Sequence, residues 1–369
     1  MIVHVFNGRQ IQLVPTISKG FISVYSSIAE PYIAIIGGSG ENKRKYIELF
    51  KENSFNSYIF LSSLSQFSKF IRKVRKEAIL FHGGKYEWHL TALLCGANNV
   101  SWVCWGYGSA IGDNWKSRLM TPIKKIICQR FRSIVTLMDE DKATIERDFH
   151  IMPDFIRVIP YASSGNHNIY DGLYDQLLEG QTHSSDKPLV LLGNSPREMH
   201  NYIEMLDRLS HLRGKIRVQC MNNYSLKHSE LYDKLISKGR SVFGDDFKSN
   251  EDFHSDRADY IQYMNSCDIY VCSSESQTGL GAIGTCLRLG KKIYIHGKNL
   301  SWIRNHYHSL VFDSDEITGT ISLDTLLSPL SIEEKKYNRD SIVKQRSVSV
   351  GLWEKYLREI DSVNVTTKR

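Results

Sequence analysis

Residues 268–290 read DIYVCSSESQTGLGAIGTCLRLG. The apolar run Ile269–Cys272 predicts a buried strand, and the polar turn that follows it contains Gly279 and Gly281. A helical segment closed by Gly290 comes next. The backbone N–H groups of such a strand, loop and helix can approach an anion closely, and the helix dipole contributes about 0.3–1 kcal/mol toward a negative charge. The stretch therefore predicts an α/β unit whose loop fits a nucleotide diphosphate.

The composition is that of a globular protein, with 41% hydrophobic and 24% charged residues. A chain of 369 residues is long enough for two domains. Its seven cysteines form no C-x-x-C pair, which is typical of reduced thiols in a cytosolic protein. The segment Met1–Phe6 lacks the basic flank and the long apolar core of a signal peptide.

The net charge of +7 is unevenly distributed. Residues 1–150 contain 20 Lys and Arg against 12 Asp and Glu, whereas the remainder contains 27 against 28. We therefore expect the front half to meet any anionic surface. Residues 90–112 carry no charge, but two asparagines and four glycines interrupt them, so we do not interpret them as a membrane-spanning helix.

Apolar runs alternate with helical patterns along the chain, which predicts two doubly wound α/β domains. The predicted strands are Ile2–Phe6, Tyr32–Ile36, Ser57–Leu61, Ala78–Phe81, Val100–Trp105, Ile134–Leu137 and Phe155–Ile159 in the first half, and Leu189–Leu192, Ile216–Cys220, Ile269–Cys272 and Lys292–His296 in the second. Many nucleotide-sugar transferases consist of two such domains facing a cleft, and ligands bind beyond the carboxyl ends of the strands.

The polar segment 161–187 is interpreted as a linker between domain 1–160 and domain 188–340. Residues 341–369 are expected to form a C-terminal helix that packs back across the domains, with an apolar face between Ile342 and Leu357.

Two strand-to-helix junctions in the second domain are candidate anion sites. The segment Gln277-Thr278-Gly279-Leu280-Gly281 suits a diphosphate, although a tight turn before a helix also needs glycine. The other junction places Gly193, Asn194 and Ser195 after the first strand, with Arg197 in reach of a phosphate. Ser195 also fits as a simple N-cap. Tyr224 is a further predicted donor contact.

The first domain offers candidate catalytic residues. His82 follows a strand and precedes two glycines, where a side chain facing the cleft is expected. A histidine there could act as a general base, or it could be a buried residue hydrogen-bonded to the backbone. Trp105 could stack on a sugar or fill the core. Asp113 is the only carboxylate between Glu87 and Asp139, and it fits either a base or an N-cap.

The segment 115–132 predicts a basic amphipathic helix with six basic and no acidic residues. Such a helix can rest in a membrane interface, where each basic residue adds about 1 kcal/mol near anionic lipid. A solvated basic face over a buried stripe and a nucleic-acid patch are the alternatives, and no nucleic-acid module accompanies it. We favour membrane contact through Trp115, Lys116, Arg118, Lys124 and Lys125.

Taken together, these segments resemble the bacterial TDP-N-acetylfucosamine:lipid II N-acetylfucosaminyltransferase family, once labelled 4-α-L-fucosyltransferases. The resemblance covers residues 78–312 and rests on Phe81-His-Gly, Trp105-Gly before the helix with Pro122, Leu192-Gly-Asn-Ser195, Ser266-Cys-Asp-Ile and Gln277-x-Gly-x-Gly281. It implies the GT-B fold, with the nucleotide sugar on the C-terminal domain. It also implies a metal-independent transfer to an undecaprenyl-diphosphate-linked glycan, at the cytoplasmic face of the inner membrane.

The sequence departs from related patterns at two places. Gly108 stands where the family carries an aspartate after Trp-Gly, so an acidic role would fall to Asp113 or be absent. Many GT-B transferases carry Glu-x₇-Glu around the glycine loop, but the matching positions here are Gln277 and Thr285. We expect a dTDP- or UDP-sugar donor, a deoxyamino sugar and a role in enterobacterial common antigen or O-antigen synthesis. The alternative is a noncatalytic sugar-nucleotide or lipid-head-group binding protein.

Overall fold

A computed structural model of the chain describes residues 1–8, 31–52, 55–105, 115–161, 168–179, 187–193, 199–221, 229–250 and 257–366. The chain forms two compact α/β units. Unit 1 comprises residues 1–166 and 346–369, and unit 2 comprises residues 167–345. All seven cysteines are buried free thiols, as the spacing predicted.

Unit 1 contains a seven-stranded parallel sheet in the order β3-β2-β1-β4-β5-β6-β7. Its strands are apolar on both sides because helices cover both faces of a parallel sheet. They are β1 Ile2–Asn7, β2 Pro31–Ile36, β3 Tyr58–Leu61, β4 Ala78–His82, β5 Val100–Cys104, β6 Ser133–Thr136 and β7 Ile156–Val158.

Helices cover the two faces of this sheet in separate groups. One core cluster contains the inner residues of α2, α3, α4 and α5, and the other contains those of α1 and the last helix, α13. The helices of unit 1 are α1 Gly40–Glu52, α2 Leu64–Val74, α3 Tyr86–Leu94, α4 Trp115–Gln129, α5 Asp139–Phe149 and the C-terminal part of α13. The whole of α13 spans Ile332–Thr366, and unit 1 contains its residues from Arg346 onward.

Helix α13 begins at Ile332, earlier than the predicted start at residue 341. A reciprocal cap explains the difference. The Ser331 hydroxyl accepts a hydrogen bond from the Glu334 N–H at 3.1 Å, and the Glu334 carboxylate accepts one from the Ser331 N–H at 2.7 Å. This pattern satisfies donors that a helix start leaves unpaired.

Unit 2 contains a six-stranded parallel sheet in the order β10-β9-β8-β11-β12-β13. The short strands β10 and β13 were not predicted. The strands are β8 Leu189–Leu192, β9 Arg217–Met221, β10 Phe247–Asn250, β11 Ile269–Cys272, β12 Lys292–Ile295 and β13 Phe312–Asp313. The helices are α6 Asn168–Glu179, α7 Met199–Arg208, α8 Glu230–Phe243, α9 Arg257–Asn265, α10 Leu280–Arg288, α11 Gly297–Trp302, α12 Leu323–Leu327 and the first part of α13.

The strand order of unit 2 reverses between β8 and β11. The chain moves outward from β8 to β10 on one side and from β11 to β13 on the other. The loops that leave β8 and β11 therefore diverge, and a crevice at such a switch point is where open α/β sheets bind ligands. The stretch quoted at the outset supplies one of these loops.

The stability of unit 1 should depend on Trp353 in α13. Its ring is 1% exposed, stacks on Tyr161 with centroids 5.8 Å apart, and donates its indole N–H to the Pro160 carbonyl at 2.9 Å. We expect Trp353→Ala to lower the free energy of unfolding by about 3–5 kcal/mol because it leaves a large cavity. The neighbouring Leu352 is 39% exposed, so Leu352→Ala should change it by less than about 0.5 kcal/mol in the same urea titration. Equal effects would contradict this packing.

Candidate functional site

Strand β11 ends in a loop that its own side chains shape. We call residues Ser273–Gly279 the glycine loop. The Ser274 side chain is 1% exposed, and its hydroxyl accepts from the Ser276 N–H at 3.1 Å and donates to the Ser276 carbonyl at 2.9 Å. Such short-range bonds hold a turn in one conformation.

Asn299 of α11 anchors the glycine loop from the neighbouring strand connection. Its amide donates to the Thr278 carbonyl at 2.9 Å, and its side-chain oxygen accepts from the Thr278 N–H at 3.4 Å. Asn299 is completely buried, so these bonds are shielded from water. A buried amide that satisfies both backbone groups of one residue fixes the position of the loop.

A second anchor joins the same two segments. The Lys298 N–H donates to the Glu275 carbonyl at 3.2 Å. Gly297 has φ +57°, and a Cβ there would lie 2.6 Å from the Glu275 Cα. Glycine is required at this position because the two backbones approach so closely.

The glycine loop opens into the N-terminus of α10. Gly279 is the N-cap residue in the left-handed region, with φ +66°. Gly281, in the first turn, is exposed, and a Cβ built on it would meet no atom of the described part of the chain within 4 Å. The N–H groups of a first turn have no acceptor within the helix. This helix start is therefore open and suits an anion.

Gly193, at the end of β8, is required by packing. Its φ is +87°, and a Cβ would lie 2.1 Å from the Tyr202 ring. Its N–H donates to the Val271 carbonyl at 2.7 Å, and its carbonyl accepts from the Tyr270 hydroxyl at 3.0 Å. The predicted contacts Asn194, Ser195, Arg197 and Tyr224 lie outside the described residues.

The remaining predicted donor residues differ in position. Gln277 and Thr278 lie half-buried in the glycine loop. Thr285 is 1% exposed, and its hydroxyl donates to the Gly281 carbonyl at 2.8 Å. Thr285 therefore lies inside α10, where its hydroxyl donates to the preceding helical turn. It does not form part of the surface of the glycine loop.

His296, missed by the sequence analysis, links three carboxyl-end segments of the sheet. Its Nε2 lies 2.9 Å from Glu275 Oε1, and its Nδ1 lies 2.9 Å from Asp313 Oδ1. The hydrogen bond to Asp313, opposed by desolvation and supported by Glu275, raises the pKa of His296 above its ordinary value. In its protonated form, which the raised pKa favours, the imidazolium ties the glycine loop to β13.

Metal binding was not expected from the sequence. Within the described ranges, ligand atoms of His296, Asp313 and Asp315 lie within 4.8 Å of one another. These side chains also pair with protein partners, since Arg208 lies 3.1 Å from Asp315 and His296 bonds Asp313. Ion pairing accounts for the cluster, and metal-independent chemistry stays a prediction.

In unit 1, the side chain of His82 is buried, whereas the sequence analysis expected it to face the cleft. It is the last residue of β4 and is 0% exposed. Its Nε2 lies 2.9 Å from His4 Nδ1, and its Nδ1 lies 3.0 Å from Tyr161 Oη. The ring stacks on Phe6 with centroids 4.3 Å apart. The strand extends one residue beyond the predicted end, which turns the side chain into the core.

Burial sets the protonation state of this pair. Desolvation, and secondarily the neighbouring His4, lowers the pKa of His82 well below its ordinary value. Desolvation also lowers the pKa of His4 to about 3. Both rings are therefore neutral near pH 7, and each nitrogen of His82 faces a protein partner. The role of His82 as the base stays a prediction.

Trp105 extends the buried chain of polar groups. Its indole N–H donates to Tyr161 Oη at 2.7 Å, and its ring lies 2.8 Å from the Cβ position of Gly83, whose φ is +65°. His4 and Tyr161 were missed by the sequence analysis. A histidine inside the apolar run Ile2–Phe6 was the available signal for His4.

The basic helix forms as α4, Trp115–Gln129. Lys124 Nζ lies 4.8 Å from the centre of the Tyr86 ring, and Lys125 is half-buried. Asp113 and the side chains of Trp115, Lys116 and Arg118 lie outside the described residues. In the described part of the chain, no helix has the length and apolarity needed to cross a bilayer.

Solved structures share this fold at low sequence identity. HepE from Anabaena, solved with UDP and glucose, has a TM-score of 0.67 and 11% identity over 97% of this chain and 98% of that chain. α,α-Trehalose 6-phosphate synthase from Burkholderia multivorans has a TM-score of 0.60 and 10% identity over 100% of this chain and 97% of that chain. UDP-GlcNAc 2-epimerase from Neisseria meningitidis, bound to UDP-GlcNAc, has a TM-score of 0.53 and 10% identity over 96% of this chain and 99% of that chain.

The two parallel-sheet units and these similar structures define a protein of the GT-B class. The family of 4-alpha-L-fucosyltransferases, glycosyl transferase group 56, matches residues 35–327, and the chain belongs to it. The protein is therefore a glycosyltransferase, as predicted, and the noncatalytic alternative is not supported. No individually curated protein matches the sequence.

Asn299 should hold the glycine loop through both of its hydrogen bonds. We expect Asn299→Ala to lower the free energy of unfolding by about 1–3 kcal/mol, because it leaves both backbone groups of the half-buried Thr278 without the Asn299 side chain as their partner. Ser301→Ala, an exposed change two residues further along α11, is the control and should be close to neutral. Chemical denaturation measures both. Matching stabilities would show that Asn299 does not anchor the loop.

The stability of unit 2 should decrease with rising pH through His296. A group whose folded pKa is raised contributes stability that is complete below its unfolded pKa, about 6.5, and is lost as pH rises through the folded value. We expect the difference in unfolding free energy between wild type and His296→Gln to shrink from about pH 5.5 to above the folded pKa. Denaturant titrations across this range give the difference. A pH-independent difference would exclude the imidazolium bridge.

Proposed function

We propose that the protein transfers a deoxyamino sugar, such as N-acetylfucosamine, from a dTDP- or UDP-sugar to a hydroxyl of a polyprenyl-diphosphate-linked oligosaccharide. Membership of the 4-alpha-L-fucosyltransferase family supports the transfer of a sugar. The observation that carries the donor assignment is the open start of α10 behind the anchored glycine loop.

The donor diphosphate is proposed to lie against the first turn of α10. Gly193 lacks a side chain because Tyr202 occupies that space, whereas no atom of the described residues lies within 4 Å of the Cβ position of Gly281. Packing among the described residues therefore gives no reason for glycine at position 281, and close approach of a ligand to the backbone does. HepE, which has the same fold, was solved with UDP and glucose, which supports a nucleotide donor.

The chemistry proposed for this loop is stabilisation of the leaving group. As the bond from the anomeric carbon to the diphosphate breaks, negative charge increases on the diphosphate oxygens. Backbone N–H groups and the positive end of the helix dipole stabilise that charge. Because Asn299 and Ser274 already hold the loop, these donors need little reorganisation during the reaction. In this proposal the backbone supplies the stabilisation that a metal ion gives in other transferases.

The acceptor hydroxyl is proposed to lose its proton to Asp113 or His82. Both ring nitrogens of His82 form hydrogen bonds, one with His4 and one with Tyr161. To act as the base, His82 would have to exchange its hydrogen bond with Tyr161 for one with the acceptor hydroxyl. The depressed pKa keeps the ring neutral, which is the form that accepts a proton, but it also makes the ring a weaker base, which favours Asp113 of the two.

The acceptor places the reaction at a membrane. A polyprenyl chain stays in the bilayer, and the one-sided charge of α4 suits an anionic lipid surface. We therefore propose a peripheral protein at the cytoplasmic face of the bacterial inner membrane. Its products would serve enterobacterial common antigen or O-antigen synthesis.

A pair of variants at Gly281 tests the donor site. Aspartate in a first turn stabilises a helix, so Gly281→Asp should fold, but its charge would repel a diphosphate. We expect Gly281→Asp to weaken the binding of dTDP and UDP, measured by calorimetry, by at least about tenfold, or ~1.4 kcal/mol. Gly281→Asn, which has the same shape without the charge, measures the steric effect alone and should weaken it less than Gly281→Asp does. Wild-type affinity in both variants would overturn the placement of the diphosphate against α10.

The transfer itself is tested separately. Purified protein is incubated with dTDP- and UDP-deoxyamino sugars, with and without a polyprenyl-diphosphate-linked glycan. The proposal expects nucleoside diphosphate release that depends on the glycan and is reduced in Gly281→Asp. Release in the presence of a soluble acceptor alone would overturn the lipid-linked assignment.

A further inference from the structure

Helix α3 exposes leucines on the side opposite to the core. Trp88 and Ala92 of this helix are 6% and 0% exposed and belong to the core of unit 1. Leu90 and Leu94, one turn apart, are 37% and 79% exposed. A leucine that is four-fifths exposed gains nothing from folding, so the pattern indicates a surface that is covered by something else.

The neighbouring helix α4 adds apolar side chains. Helices α3 and α4 pack against each other on one face of the sheet. Ile127 and Cys128 point into the core, whereas Met120, Ile123 and Ile126 are 43%, 40% and 59% exposed. The sequence analysis placed all the apolar residues of this helix on one side. The structure divides them between the core and the outside.

Helix α2, on the other side of α3, supplies positive charge. Its core side holds Phe67, Phe70 and Ile71. Lys69, Arg72 and Lys73 are exposed, and the helix contains no acidic residue. Across α2, α3 and α4 the single carboxylate is Glu87, whose Oε1 lies 3.3 Å from Lys85 Nζ.

We propose that the outer face of α2, α3 and α4 docks on an anionic lipid bilayer. Leu90, Leu94 and Ile126 would enter the acyl boundary, while the α2 cations would meet lipid phosphates. This inference rests on the proposed function for its lipid-linked acceptor, and it extends the membrane contact predicted for α4 to two further helices.

The charge selects this occupant over others. A second copy in a two-fold dimer would bring the same cations face to face, which is repulsive. Single-stranded nucleic acid needs exposed aromatic rings for base stacking, but the exposed large apolar side chains among the described residues of α2, α3 and α4 are aliphatic. A bilayer with anionic head groups offers apolar contact to the aliphatic side chains and negative charge to the cations.

Flotation of the full-length protein with vesicles tests the proposal. The vesicles contain phosphatidylglycerol and phosphatidylethanolamine, or phosphatidylcholine alone. We expect wild type to float with the anionic vesicles. Lys69→Gln/Arg72→Gln/Lys73→Gln should reduce partitioning by about a hundredfold, at about fivefold per charge. Leu90→Gln/Leu94→Gln/Ile126→Gln should reduce it by at least about tenfold.

Matched variants on the opposite sheet face are the controls. Val348 and Leu352 are 48% and 39% exposed on α13, so Val348→Gln/Leu352→Gln should float like wild type, as should Lys355→Gln/Arg358→Gln. Unchanged flotation of the α2 and α3/α4 variants would overturn the proposal. So would a switch from dimer to monomer in the leucine variant, because a second copy would then cover the face.

The two proposals can fail separately. Calorimetry with dTDP and UDP on the same variants reports on the donor site in unit 2. Lost flotation with intact nucleotide binding supports the docking face. Normal flotation of wild type without nucleotide binding would overturn the donor site alone.

Discussion

The pairing of β8 with β11 is the constraint on which the candidate donor site depends. These strands lie side by side at the centre of the sheet although they are distant in sequence, and the Gly193 N–H bond to the Val271 carbonyl closes their carboxyl ends. The Tyr270 hydroxyl adds a buried bond to the Gly193 carbonyl. Because Gly193 has no Cβ, Tyr202 can fill the space behind this junction. The glycine loop begins on a rigid base for this reason.

The local sequence was sufficient to predict the strands and helices, but it was insufficient to predict the side chains that hold the glycine loop in place. Strand β11 was predicted with its observed bounds because a short apolar run stands between polar residues. Gly279 and Gly281 were both predicted to lie in the turn before the helix, whereas the helix begins at Leu280 and includes Gly281. Asn299 could not be found in this way. It reaches Thr278 from the next strand connection, and a single asparagine in a polar segment carries no periodic signal.

The same limit explains His82. Its position at a strand end was predictable, but its environment is made by His4 and Tyr161, which are 78 and 79 positions away in the chain. Long-range contacts decide whether a histidine is charged, and sequence spacing does not contain them. Thr285 shows the opposite case: alignment with a related motif suggested a ligand contact, while a bond within one helical turn uses the hydroxyl.

The membership of α13 in both units has a consequence for biosynthesis. Unit 1 contains residues 1–166 and also 346–369, so four residues of its core are translated after unit 2: Trp353, Tyr356, Leu357 and Ile360. These residues cover one apolar side of β1 and β4, and that side stays uncovered by them while unit 2 is being synthesised. Domains usually fold as they leave the ribosome. Unit 1 therefore completes its core only after unit 2 has been synthesised, so the nascent chain carries an exposed apolar surface until residues 346–369 have been added.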